Sequence, residues 1–121
     1  MGEMAEINLF KHSNDAVTLA PGTVLFAEGD AGDVMYAVVE GEVELLRGDD
    51  VLEVVSGGAI VGEMALLDDS PRSATARARS EARVVAVDRR NFTFLVQEHP
   101  TFALQVMRVM ADRIRHANER R

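Results

Sequence analysis

The chain has 121 residues, 47% hydrophobic and 27% charged, with a net charge of −7 and no cysteine. That is enough chain for one domain with its own core and no need of a disulfide or metal staple, and it excludes thiolate nucleophiles, Cys-ligated zinc and iron–sulfur clusters. The longest uninterrupted apolar run, Val34 to Val39, is far short of the ~20 residues of a membrane span, and the N-terminus lacks the basic region and apolar core of a signal peptide; the absence of cysteine fits a reducing cytoplasm.

Taken in order, the chain opens with a short helix expected around Ala5 to Lys11. From Ala16 to Asp88 it reads as short strands punctuated by glycine. Val17-Thr18-Leu19 runs into Pro21-Gly22, a turn signal, and Thr23 to Ala27 is β-rich and stops at Glu28-Gly29-Asp30. Val34 to Val39, Val43 to Leu46 and Val51 to Val55 follow, each closed by a glycine-bearing turn. After a short helix-like run at Glu63 to Leu67, two further strands are expected at Ser73 to Arg79 and Arg83 to Val87. Some seven strands with turns every ~8–12 residues predict a sandwich or barrel. No helix-length segments separate them, so βαβ units are not expected.

The character changes at Asp88. Arg89 to Glu98 and Thr101 to about residue 118 read as two helices, broken at Pro100, whose missing N–H suits a helix start. The last helix carries two apolar stripes. Ala103, Met107, Met110, Ile114 and Ala117 step by 4-3-4-3, like a coiled-coil seam, while Phe102, Val106 and Val109 form the other. One stripe can pack on the β-domain; the other offers a surface for a second copy through Met107, Met110 and Ile114, or for an effector protein. A single broad stripe buried on its own domain is the alternative.

Charge is uneven. Residues 1–88 hold 6 Arg/Lys against 17 Asp/Glu, a balance of −11, and residues 89–121 hold 7 against 3, a balance of +4. An acidic body argues against general nucleic-acid binding, which needs positive charge at the phosphates. The basic tail reads as a solvated helix face. The three histidines, His12, His99 and His116, are far apart and have no carboxylate at metal-ligand spacing. No serine sits in a nucleophile elbow, so no catalytic set is expected.

One stretch points to a ligand. Gly62 precedes the short helical run Glu63-Met64-Ala65-Leu66-Leu67; Asp68-Asp69-Ser70-Pro71 turns the chain, and Arg72 and Ser73 follow. Glycine lets backbone approach a ligand closely, helix-start amides suit an anion, and arginine is the natural bidentate partner of phosphate. Ionised Glu63 only accepts hydrogen bonds, so it would hold a hydroxyl such as that of a ribose. Spacing alone equally allows Glu63 and Arg72 to form an ion pair across the turn.

The run Gly62-Glu63-Met64-Ala65-Leu66, then Pro71-Arg72-Ser73-Ala74, resembles the phosphate-binding cassette of the cyclic nucleotide-binding domain family. Phe26-x-x-Gly29-Asp30-x-Gly32-Asp33-x-Met35-Tyr36-x-Val38, Gly41-x-Val43, and Thr75-x-Arg77-Ala78 through Val87-Asp88-Arg89 resemble the family as well, so nearly the whole chain is covered. The resemblance implies a mainly β domain with flanking helices: a jelly-roll-like β-roll over about 16–88, with a short N-terminal helix, a cassette helix and two C-terminal helices over about 89–118, all in one domain, 1–121. It implies Glu63 on the ribose 2′-OH, Arg72 on the cyclic phosphate, and backbone amides near Gly62, Met64, Ala65, Ser73 and Ala74 around it. The ligand would be cAMP or cGMP, with cAMP favoured, since Ser73 does not decide the base. No cofactor is implied. No DNA reader, second nucleotide domain or membrane helix accompanies the motif, so a stand-alone cytoplasmic sensor module, or a fragment of a longer protein, is expected, with a ligand-independent interaction domain as the alternative.

Overall fold

A computed structural model describes residues 9–10 and 13–119, with side chains through residue 116. The helix expected around Ala5 to Lys11 lies mostly outside the described residues; Leu9 and Phe10 form a turn. Eight strands follow: β1 (Val17–Leu19), β2 (Val24–Phe26), β3 (Val34–Glu40), β4 (Val43–Arg47), β5 (Asp50–Val55), β6 (Ile60–Val61), β7 (Thr75–Ala78) and β8 (Ala82–Asp88). A short helix α1 (Glu63–Asp68) lies between β6 and β7, and α2 (Arg89–Glu98) and α3 (Thr101–Glu119) end the domain. The strands form two antiparallel four-stranded sheets, ordered β1-β8-β3-β6 and β2-β7-β4-β5. The domain is thus mainly β with flanking helices, as expected. The strand absent from the sequence reading is β6, whose two residues are too few to show a period.

The apolar pattern separates two cores. Inside the roll, Val38, Val61, Ala82 and Val84 of the first sheet meet Val43, Val55 and Ala76 of the second. On the outer face of the first sheet, Met35, Ala37, Ile60, Val85 and Val87 pack with Leu66 of α1 and with Phe102, Val106 and Val109 of α3. Successive side chains of a strand point to opposite faces. In β3, Met35 and Ala37 therefore face the helices and Val38 faces the roll. A sheet covered on both faces reads as a continuous apolar run, which accounts for Val34 to Val39. Arg47 pairs with Asp50 across the β4–β5 hairpin, with Gly48 at φ 60° in its two-residue turn, where glycine carries no steric penalty.

The helices are tied to this second core. Asp88 caps α2, its carboxylate accepting from Asn91 N at 2.8 Å, a bond of a kind whose loss costs about 1 kcal/mol. The α2–α3 break occurs at His99-Pro100, where Phe102 N donates to His99 O. Of the two stripes on α3, Phe102, Val106 and Val109 are fully buried, and each contributes roughly 1.5–3 kcal/mol of hydrophobic stabilisation. Phe102 meets Phe10 edge-on and Phe92 at a tilt. Met110 packs against the same core, whereas Met107 and Ile114 are 60% and 61% exposed and Leu104 lies exposed beside them. The seam read as Ala103, Met107, Met110, Ile114 and Ala117 is therefore split, over the part as far as Ile114, between the domain's own core and solvent; the side chain of Ala117 lies outside the described residues. No described helix is long and apolar enough to cross a membrane.

Candidate functional site

The stretch from β6 to β7 wraps one end of the roll. Gly62 enters α1 at φ 80° with no side-chain cap, a conformation costly for any residue with a Cβ. The helix lasts six residues and stops at Asp69, itself left-handed at φ 59°, whose N–H donates to Ala65 O. Leu66 and Ala65 are buried, and Met64 and Leu67 face outward. The chain then returns through Pro71 to Arg72, whose N–H donates to Asp30 O and whose carbonyl accepts from Gly29 N, both at 2.8 Å. That pairing holds Arg72, on the approach to β7, against the loop after β2.

Two charged side chains are buried among the described residues, Glu63 at 3% exposure and Arg72 at 7%. Buried charge is rarely tolerated without partners, and each has them. The Arg72 guanidinium lies with Cζ 4.1 Å from the centre of the Phe26 ring. Its Nη1 donates to Gly62 O at 3.1 Å and its Nη2 to Val34 O at 2.7 Å, while Nε is buried without an acceptor. Burial pulls its pKa below the usual arginine value, and Tyr36, Asp33, Asp30 and Glu63 act in the opposite sense. Glu63 accepts from Arg113 of α3, Nη1 to Oε1 at 2.5 Å. The same arginine donates through Nη2 to Ile60 O and lies 3.4 Å from Glu53 Oε1 through Nε. The ion pair that spacing allowed between Glu63 and Arg72 is not formed, because each has a better-placed partner from another part of the chain.

A model of the cyclic nucleotide-binding domain matches residues 16–99. The chain belongs to the cyclic nucleotide-binding domain family. It is 30% identical over 102 residues to the CRP-like cAMP-activated global transcriptional regulator of Mycobacterium tuberculosis, a match covering 80% of this chain and 46% of that protein. It superposes on the Thermus thermophilus catabolite activator protein with a TM-score of 0.77 at 31% identity, covering 87% of this chain and 52% of the other. A chain from a bacterial cyclic-GMP-dependent signalling pathway matches with a TM-score of 0.73 at 30% identity, over 83% and 84% of the two chains. The chain spans about half the length of the curated relative it matches.

Within this cyclic nucleotide-binding domain, the residues singled out from sequence fall on one continuous segment. Gly62, Glu63, Met64 and Ala65 form the start of α1, and Arg72, Ser73 and Ala74 the approach to β7. Ser73 is exposed, its carbonyl accepting weakly from Arg47 Nη2 at 3.4 Å, and Ala74 is buried. Two arginines that sequence reading left in the polar faces of the C-terminal helices act on α1. Arg113 holds its first turn through Glu63. Arg89, the first residue of α2, donates from Nε and Nη2 to Leu66 O at 3.2 and 2.8 Å and pairs with Asp69. The alternation of polar and apolar positions marks both only as solvent-facing, and nothing in the sequence indicates that they bend back to a helix 20 to 50 residues earlier.

Proposed function

We propose that this domain is a non-catalytic receptor for a cyclic nucleotide, cAMP in preference to cGMP, and that ligand binding is coupled to its C-terminal helices. The observation that carries the reading is that Glu63 and Arg72, an acceptor suited to a ribose hydroxyl and a cation suited to a cyclic phosphate, are the two buried charges among the described residues. Charge is placed in a low-dielectric site at a cost, and an ionic ligand is the reason that fits the family. In this reading Glu63 takes the ribose 2′-OH, Arg72 the phosphate, and the amides around Gly62, Met64, Ala65, Ser73 and Ala74 complete the shell. The cAMP-activated regulator of Mycobacterium tuberculosis supports cAMP, and the chain from a cyclic-GMP-dependent pathway keeps cGMP as the second ligand to test.

Coupling follows from Arg113. A carboxylate accepts several hydrogen bonds, so a ribose hydroxyl on Glu63 need not displace Arg113 from Oε1. With both bound, docking of α3 orients the carboxylate for the nucleotide, and the nucleotide in turn favours docked α3, as linkage requires. The exposed side of α3, with Leu104, Met107 and Ile114, is then the surface through which a second copy or an effector would read the state of the site. Calorimetry with cAMP and cGMP on the wild-type chain and on Arg72→Ala tests the assignment. The expected result is micromolar or tighter binding of cAMP, and a loss of tenfold or more in the variant, since bonds to charged groups contribute roughly 1.5–3 kcal/mol. Equal affinity for the two proteins would remove Arg72 from the site. Sedimentation with and without cAMP tests self-association through α3; a monomer in both conditions rules it out.

A further inference from the structure

Gly32 is a glycine for want of space rather than for backbone conformation. Its φ lies outside the left-handed range, yet a Cβ built on it would fall 2.2 Å from Nε and 2.4 Å from Cζ of Arg72. The guanidinium therefore passes directly over a bare Cα. The Phe26 ring lies against the same guanidinium, its centre 4.1 Å from Cζ, and is itself stacked on Tyr36 with centroids 6.2 Å apart. The ends of the slot are closed by the carbonyls of Gly62 and Val34, each taking a hydrogen from one terminal nitrogen.

We propose that Gly32 and Phe26 are positioning residues for the phosphate arginine, forming a slot between a bare Cα and an aromatic face that fixes the plane of the Arg72 guanidinium before any ligand arrives. The inference rests on the reading of Arg72 as the phosphate-binding residue. An arginine free in solvent must be ordered when it binds, and that ordering weakens affinity; one already held in plane loses less. Stacking on an aromatic face is strongest where water is excluded, as it is here. The buried, unpartnered Nε fits a side chain held in a pose that leaves part of its hydrogen-bonding capacity unused. The pose is therefore set by the close packing of Gly32 and Phe26 and by the two carbonyls rather than by a full set of hydrogen bonds.

The test uses two readouts on the full chain. The first is solvent exchange of the Arg72 Nε–H resonance by NMR without nucleotide. It is expected to be slow in the wild type and in Arg79→Ala, an exposed control, and fast in Gly32→Ala and in Phe26→Leu. The second is calorimetry with cAMP. Gly32→Ala and Phe26→Leu are each expected to lose tenfold or more in affinity. Adding Gly32→Ala to Arg72→Ala is expected to leave the residual affinity unchanged, because the three atoms nearest the added methyl all belong to the missing guanidinium. If Nε–H exchange is unchanged in Gly32→Ala, or if that variant binds cAMP like the wild type, the slot does not position Arg72 and the proposal fails. If the wild type binds neither cAMP nor cGMP while Gly32→Ala still releases the Nε–H, the receptor reading falls and the slot itself stands.

Discussion

Arg113, in the last helix, donates to the carboxylate of Glu63, fifty residues earlier at the start of the cassette helix. The arginine side chain is 18% exposed and the glutamate side chain 5%, so the pair joins α3 to the cassette largely out of water. Removing one partner of a buried pair costs about 3–5 kcal/mol because it strands the other charge, and the partial exposure of Arg113 reduces that to about 2–3 kcal/mol. Arg113→Ala is therefore expected to lower stability by that amount in urea melts. Hydrogen exchange is expected to accelerate in α3 more than in β3 or β8. Uniform acceleration across the domain would mean that the pair does not secure α3 in particular.

If Glu63 accepts a ribose hydroxyl, the wild-type chain should discriminate against 2′-deoxy-cAMP. The expected loss is about ten- to a hundredfold, from a hydrogen bond to a charged acceptor. Glu63→Ala should bind both nucleotides weakly and with similar affinity. Discrimination that survives Glu63→Ala, measured by competition, would place the ribose elsewhere.

Arg89 and Asp69 define the other end of α1. Asp69 is a non-glycine residue at φ 59°, and glycine there relieves left-handed backbone strain of about 1–2 kcal/mol, partly offset by its greater freedom in the unfolded chain, but removes the ion pair with Arg89. In the wild type the two effects oppose each other, so Asp69→Gly is expected to be close to neutral. In an Arg89→Ala background the pair is already gone, and Asp69→Gly is expected to raise the melting temperature. The same change in both backgrounds would show that the Arg89–Asp69 pair contributes nothing to stability.

Phe102 is 1% exposed and sits between Phe10 and Phe92. Phe102→Ala is expected to cost about 3–5 kcal/mol, as large-to-small changes at buried aromatics do. The α2–α3 pair should detach while the roll interior, built from a separate cluster, keeps its protection. Loss of protection at Val43 and Val84 to the same degree would mean the two cores unfold as one unit.

Asp68 follows from its bonds to Ser70. The Ser70 side chain and backbone hold its carboxyl below the usual aspartate value. A carboxylate with a depressed native pKa adds stability that is fully present above its unfolded value and is lost as pH falls through the native one. The window is therefore acidic, below about the ordinary aspartate value, and neutral pH is unaffected. Ser70→Ala should move the Asp68 titration, followed by NMR, upward toward that ordinary value.

Much of the β-roll could be read from glycine-bearing turns between short apolar runs. The double-faced burial of β3 appears in the sequence as Val34 to Val39 without alternation. What could not be read is pairing over distance. Gly62, Glu63 and Arg72 stand out by residue type, but the partner of Glu63 lies fifty residues away and that of Arg72 includes Val34, thirty-eight residues away. Both depend on how the sheets and helices close. The α3 stripes showed the same limit: spacing groups Met110 with Met107 and Ile114, and only packing shows that Met110 turns inward. Gly32, which looks like another turn glycine, owes its identity to a side chain forty positions downstream.

The cassette helix is six residues long, at most half the ~12–15 residues at which an isolated helix begins to hold its shape in water. Its form is thus borrowed from Leu66 in the core, from Arg113 at one end and from Arg89 at the other. If α1 takes the nucleotide as proposed, substitutions in α2 and α3 that never touch it are expected to retune affinity by changing how often this segment is assembled, with the side chains proposed to meet the ligand left in place.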